Sequence, residues 1–170
     1  MKHIFLVAII IGVGILTRAQ TEYEVSGAGA NKILKGLISR DMLETDTAFK
    51  WFQDNRSGYT PAAEEVALLR TKGAHLQFLV FGATWNNDSQ QILPRFFSLI
   101  DAASLGEDQV TLIGVDRDKK TVNHLSEIMH ISQVPTFIIM NNGQEVGRVM
   151  AKGKDSEWDK EIAAVLNEKF

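Results

Sequence analysis

The stretch from Phe78 to Pro94, Phe-Leu-Val-Phe-Gly-Ala-Thr-Trp-Asn-Asn-Asp-Ser-Gln-Gln-Ile-Leu-Pro, restricts this chain more than any other. Its unbroken apolar run, Phe78 to Phe81, ends at Gly82 and predicts a strand covered on both faces. Asn86, Asn87, Asp88 and Ser89 are all residue types that cap helices, because a short polar side chain accepts from free backbone N–H groups. Ile92, Leu93, Phe96, Phe97 and Ile100 then recur at helical spacing. Pro94 lies inside that helix, where it predicts a kink. The stretch reads as a buried strand, a corner carrying Trp85, and a helix.

The surrounding chain extends this pattern. Val110 to Asp116 predicts a second strand, and two strands joined by one helix make a right-handed parallel βαβ unit. Thr121 to Met129 predicts a helix with Val122, Leu125, Ile128 and Met129 inward. Thr136 to Met140 predicts a third strand, Asn141-Asn142-Gly143 a hairpin turn, and Gln144 to Ala151 the returning strand. Trp158, Ile162, Val165 and Leu166 form the inner stripe of a last helix ending at Lys169. Upstream, Pro61 to Lys72 predicts a helix capped by Thr60, with Ala62, Val66, Leu68 and Leu69 inward and Gly73 closing it. Thr21 to Asn31 reads as a loose lead-in. Lys32 to Arg40 fits a short helix with Ile33, Leu34, Leu37 and Ile38 on one face, and Asp46 to Asn55 fits another. Phe49, Trp51 and Phe52 either pack this extension onto the main core or form a partner-binding surface.

Ala83-Thr84-Trp85, with Pro94 nine residues after the Trp, resembles the active-site segment of thioredoxins. In that family the strand ends in Ala-x-Trp-Cys-x-x-Cys. The likeness continues in Val134-Pro135-Thr136 before a strand and in the Asn-Gly hairpin before a final amphipathic helix. It implies an α/β, thioredoxin-like fold over residues 61–170. Its central mixed sheet would contain the parallel βαβ unit and a C-terminal ββα unit, with helices on both faces. Residues 21–60 would be a helical N-terminal extension that a minimal thioredoxin lacks.

The family chemistry does not carry over. Thiol–disulfide exchange needs an attacking thiolate and a second, resolving sulfur. This chain contains no Cys, and the two family cysteine positions hold Asn86 and Ser89. An amide cannot attack a disulfide, and a hydroxyl is too weakly acidic without a neighbouring base. Redox relatives also carry a buried acid and a buried Lys, where this chain has Val80 and Leu112. No catalytic residue and no cofactor are therefore expected. Val134-Pro135 resembles the family's cis-proline loop. The resemblance implies that the backbone there pairs with an extended peptide beside the Trp, a form of strand addition. The implied groove comprises Trp85, Asn86, Asn87, Asp88, Val134, Pro135 and Thr136. Trp85 as a half-buried packing residue and Pro135 as a turn proline are the plainer alternatives. Asp88, Asp116 and Asp118 read as solvated or capping acids rather than metal ligands, and His75, His124 and His130 have no partner at ligand spacing.

Met1-Lys2-His3, the apolar run Ile4 to Leu16, and Thr17-Arg18-Ala19-Gln20 have the pattern of a signal peptide over residues 1–20. The run is shorter than the ~20 residues that span a bilayer comfortably, although an uncleaved anchor is the alternative. Cleavage would remove Lys2 and Arg18, leaving sixteen basic against twenty-one acidic residues, a charge of −5. That balance disfavours nucleic acid as a partner. The expectation is an exported, periplasmic or secreted module, off the membrane once the signal is removed, that binds a protein or extended peptide. The alternative is a thiol–disulfide oxidoreductase whose active-site cysteine is replaced in this chain.

Overall fold

The computed structural model describes residues 22–153 and 155–170, so the expected signal segment lies outside the described residues. The elements are β1 (Tyr23–Ser26), β2 (Ile33–Ile38), α1 (Arg40–Thr45), α2 (Trp51–Arg56), α3 (Ala63–Lys72), β3 (Leu76–Gly82), α4 (Asn87–Ala102), β4 (Val110–Gly114), α5 (Leu125–Ile128), β5 (Thr136–Asn141), β6 (Gln144–Met150) and α6 (Trp158–Lys169). They form one six-stranded sheet in the order β1-β2-β4-β3-β5-β6. β3 is parallel to β4 and antiparallel to β5, and β6 returns antiparallel to β5 through Asn142 and Gly143, both at positive φ. The sheet is therefore mixed, and the β3–α4–β4 unit is the parallel pair that the apolar run and its helix predict.

Alternation along the inner strands divides the core in two. Phe78, Val80, Leu112, Phe137 and Ile139 point to one face, where α2, α3, α4 and α6 supply Phe52, Leu69, Phe96 and Trp158. Phe96 lies at the centre of that layer, its ring 4.7 Å from Phe137 and 5.4 Å from Phe78. Phe81, Ile113, Val115 and Ile138 point to the other face, covered by Leu125 of α5 with Met129, Ile131 and Trp85. The helical cover is thus thick on one face and thin on the other.

The N-terminal region departs from the expected helical extension. Residues 23–26 and 33–38 are strands, and β2 joins the sheet antiparallel to β4. Ile33, Leu34, Leu37 and Ile38 satisfy helical spacing, but the decisive residue is Gly36, paired in register with Gly114. Gly36 has φ +107, and a Cβ on it would meet the Glu22 carbonyl oxygen at 2.4 Å; a Cβ on Gly114 would meet the Leu34 carbonyl oxygen at 2.2 Å. Only two glycines allow these backbones so close together. A 3₁₀ turn, Thr47–Phe49, precedes α2. Phe49 and Phe52 are buried in the main core, with Phe52 6.0 Å from Phe97, while Trp51 is half-buried against Phe49 and Phe52.

Two helices also differ from expectation. α3 begins at Ala63 after an extended Ala62, so Thr60 is not its cap, and Ala62 is exposed while Glu65 is buried. α5 spans only Leu125–Ile128, because Asn123 and His124 adopt left-handed φ values of 60° and 57° that a continuous helix cannot contain. Ile128, expected inward, is 66% exposed.

An ion network ties the early helices to α4. Arg40 forks onto Asp101 at 2.7 and 2.8 Å and reaches Glu44 at 2.7 Å, while Arg56 bridges Glu44 and Asp101. The hydrogen bonds from Arg40, reinforced by the charges of Arg40 and Arg56 and opposed by partial burial, hold the Asp101 carboxyl below the ordinary carboxylate range.

Two measurements follow from this packing. Phe52→Ala leaves a cavity against Phe97 and lowers unfolding stability by about 3–5 kcal/mol in urea titration. Asp101 has a depressed folded pKa, so its contribution is present above about pH 4 and is lost as pH falls through the folded value. The stability difference between the wild type and Asp101→Asn accordingly shrinks below about pH 4 in denaturation series run at stepped pH.

Candidate functional site

The site forms where β3 leaves the sheet. Gly82 is paired through its register with Gly114 and leaves room for Leu93, whose Cδ1 would lie 2.7 Å from a Cβ there. The next amide, on Ala83, donates to the Ser89 hydroxyl at 3.2 Å. Asn86 caps α4, its side-chain oxygen accepting from the Ser89 amide at 2.8 Å, and the Asn86 amide donates to the Ala83 carbonyl. Gln90 donates to the Thr84 carbonyl at 2.7 Å. The Thr84 hydroxyl donates to the Lys32 carbonyl at 2.9 Å and accepts from the Leu34 amide, joining the corner to β2.

Trp85 is half-buried and fixed at two points. Its indole N–H donates to the Val115 carbonyl at 3.0 Å, and the Arg117 guanidinium carbon lies 5.6 Å from the ring centre. The pairing of Phe81 with Thr136 places Val134 across from Ala83, and Trp85 packs on the same apolar cluster as Val134. The Val134–Pro135 peptide bond is cis. The Pro135 carbonyl accepts from the Ala151 amide at 3.1 Å, and the Thr136 hydroxyl donates to the Gln133 carbonyl at 2.8 Å. The Val134 amide and carbonyl have no hydrogen-bond partner among the described residues.

The seven positions expected to line a groove thus lie at one end of the sheet in different states. Asn87 is exposed; Trp85, Asn86 and Asp88 are half-buried; Val134, Pro135 and Thr136 are buried. Ser89 has no exposed surface, so its hydroxyl belongs to the corner and not to a groove. Val80 and Leu112 are buried partners in register, which leaves an apolar layer beneath the corner with no proton-carrying side chain at either position. Sequence reasoning did not single out Thr84, Gln90 or Arg117. Thr84 and Gln90 act through backbone partners that only the fold reveals, and Arg117 was one residue of a charged loop.

Five cavities among the described residues lie away from this corner, none of them lined by Trp85, Asn86, Val134 or Pro135. One, about 560 Å³ and open to solvent, lies between β1, β2 and the end of α4 and includes Tyr23, Leu37, Arg40, Phe97 and Asp101.

The thioredoxin family model matches residues 65–165. This chain belongs to the thioredoxin family. A curated relative, the TPR repeat-containing thioredoxin TDX of Arabidopsis thaliana, is 33% identical over 85 residues, half of this chain. The chain spans about a fifth of that relative's length, 21%. Among solved structures, mitochondrial thioredoxin 3 of Saccharomyces cerevisiae is 18% identical, with a TM-score of 0.40 over 67% of this chain and 98% of that one. A Pseudomonas aeruginosa protein of unknown function is 15% identical, with a TM-score of 0.43 over 69% of this chain and 70% of that one. The present chain is a thioredoxin-family domain without cysteine.

Asn86 and Ser89 hold the strand–helix corner through hydrogen bonds to and from its backbone. Asn86→Ala removes the α4 cap and costs about 1 kcal/mol. Ser89→Ala leaves the buried Ala83 amide without its acceptor and costs about 1–3 kcal/mol. Thermal and urea unfolding of both variants measures these losses.

Proposed function

We propose that this chain is an exported, cysteine-free thioredoxin-family module that binds an extended polypeptide on the Trp85–Val134 face without redox chemistry. The observation that carries the reading is the Val134 backbone. Its amide and carbonyl have no partner among the described residues, although the residue is buried beside Trp85. Buried backbone groups without partners are costly, and an added strand satisfies an amide and a carbonyl together. Trp85 supplies an aromatic wall held in place by Val115, so little side-chain freedom is lost on binding. The basic start, apolar run and Ala19 in residues 1–20 support export.

Two assays test the reading. The wild-type chain leaves the rate of insulin reduction by dithiothreitol at the uncatalysed level. Display of random extended peptides yields binders, and Trp85→Ala weakens them by about tenfold or more, as expected for removal of an aromatic anchor. Catalysed insulin reduction, or binding indifferent to Trp85, overturns the proposal.

A further inference from the structure

We infer that the peptide taken by this face carries an aspartate or glutamate side chain, and that Arg117 selects it. The inference rests on the reading of the Trp85–Val134 face as a peptide groove and specifies its ligand. Arg117 lies in the loop after β4, exposed, with its guanidinium carbon 5.6 Å from the centre of the Trp85 ring. The indole is itself tied to the Val115 carbonyl, so the platform beneath the cation is fixed. A guanidinium held over an aromatic face keeps its N–H donors available, and its planar fork matches a carboxylate.

Those donors have no acceptor among the described residues, whereas other charges of the loop are already in use. Asp116 pairs with Lys35 at 3.1 Å and accepts from the Asp118 and Lys120 amides. Burial works to raise the Asp116 pKa, but the Lys120 amide, the Lys35 ammonium and the Asp118 amide together hold it below the ordinary carboxylate range. Lys120 pairs with Glu127 at 2.8 Å. Lys119 forms no ion pair among the described residues, and neither Asp118 nor Asp88, the acids on this rim, pairs with Arg117. The rim is thus of mixed sign, and the chain has a formal net charge of −3, so no broad positive field draws acidic ligands in. The fit to a carboxylate belongs to one fork beside the aromatic wall.

The test uses the full-length chain and C-terminally amidated peptides chosen from the display binders, compared as Glu and Gln versions at each position by fluorescence anisotropy. One position is expected at which Gln binds roughly three- to tenfold more weakly than Glu, a gap that closes at high salt. Arg117→Ala erases that gap while the Gln peptide still binds. Arg117→Glu reverses it, so that a Lys peptide becomes the tighter ligand, a result that mere loss of structure cannot produce. Equal binding of Glu and Gln at every position, or a Glu preference that survives Arg117→Ala, overturns the assignment of Arg117 and leaves the groove intact. Failure of every peptide to bind overturns the groove and this inference with it.

Discussion

At the end of β3 a buried backbone amide runs out of sheet. Gly82 is the last residue of the central strand, and the Ala83 N–H must find an acceptor elsewhere or be left stranded in the interior. Ser89 supplies that acceptor from the first turn of α4, and Asn86 in turn receives the Ser89 amide. Strand end, corner and helix start are thereby closed into one hydrogen-bonded loop. A thiol is a weak acceptor by comparison with a hydroxyl or an amide oxygen. Asn86 and Ser89 serve here as oxygen acceptors, and the apolar Val80–Leu112 pair lies beneath them.

The parts legible in the sequence were those whose pattern is local. The apolar run ended by Gly82, the capping cluster at residues 86–89 and the stripe from Ile92 to Ile100 each carry their own period, and β3 and α4 followed from them. β2 was misread because Ile33, Leu34, Leu37 and Ile38 satisfy the helical period, while the Gly36–Gly114 contact that makes the segment a strand connects residues far apart in the chain. The shortening of α5 depends on left-handed φ at Asn123 and His124, which side-chain type alone does not announce. Within the site, Trp85 and Val134 could be found by their resemblance to a known segment. The Arg117–Trp85 stack and the Thr84–Lys32 bond could not, since each joins elements whose proximity the sequence does not encode in any short motif.

The first strands and helices are part of the same body as the corner. Leu34, Ile38, Leu43, Phe49 and Phe52 share the core of Phe96 and Trp158, and Arg40 and Arg56 fasten α1 and α2 to the end of α4 through Glu44 and Asp101. Thr84 adds a direct tie between the corner and the backbone of β2. Apolar packing provides most of this cohesion; the ion pairs are partly exposed and contribute less per contact.

The two sides of the sheet are unequally clad. Helices α1, α2, α3, α4 and α6 insulate one side, whereas the side on which Trp85 rests has the single short turn of α5 and a few flanking residues. Local breathing costs least where the fewest apolar contacts must part. In this molecule that soft spot lies directly behind the indole. Fluctuation of the fold would lift α5 first, while the aromatic layer around Phe96 stays shut.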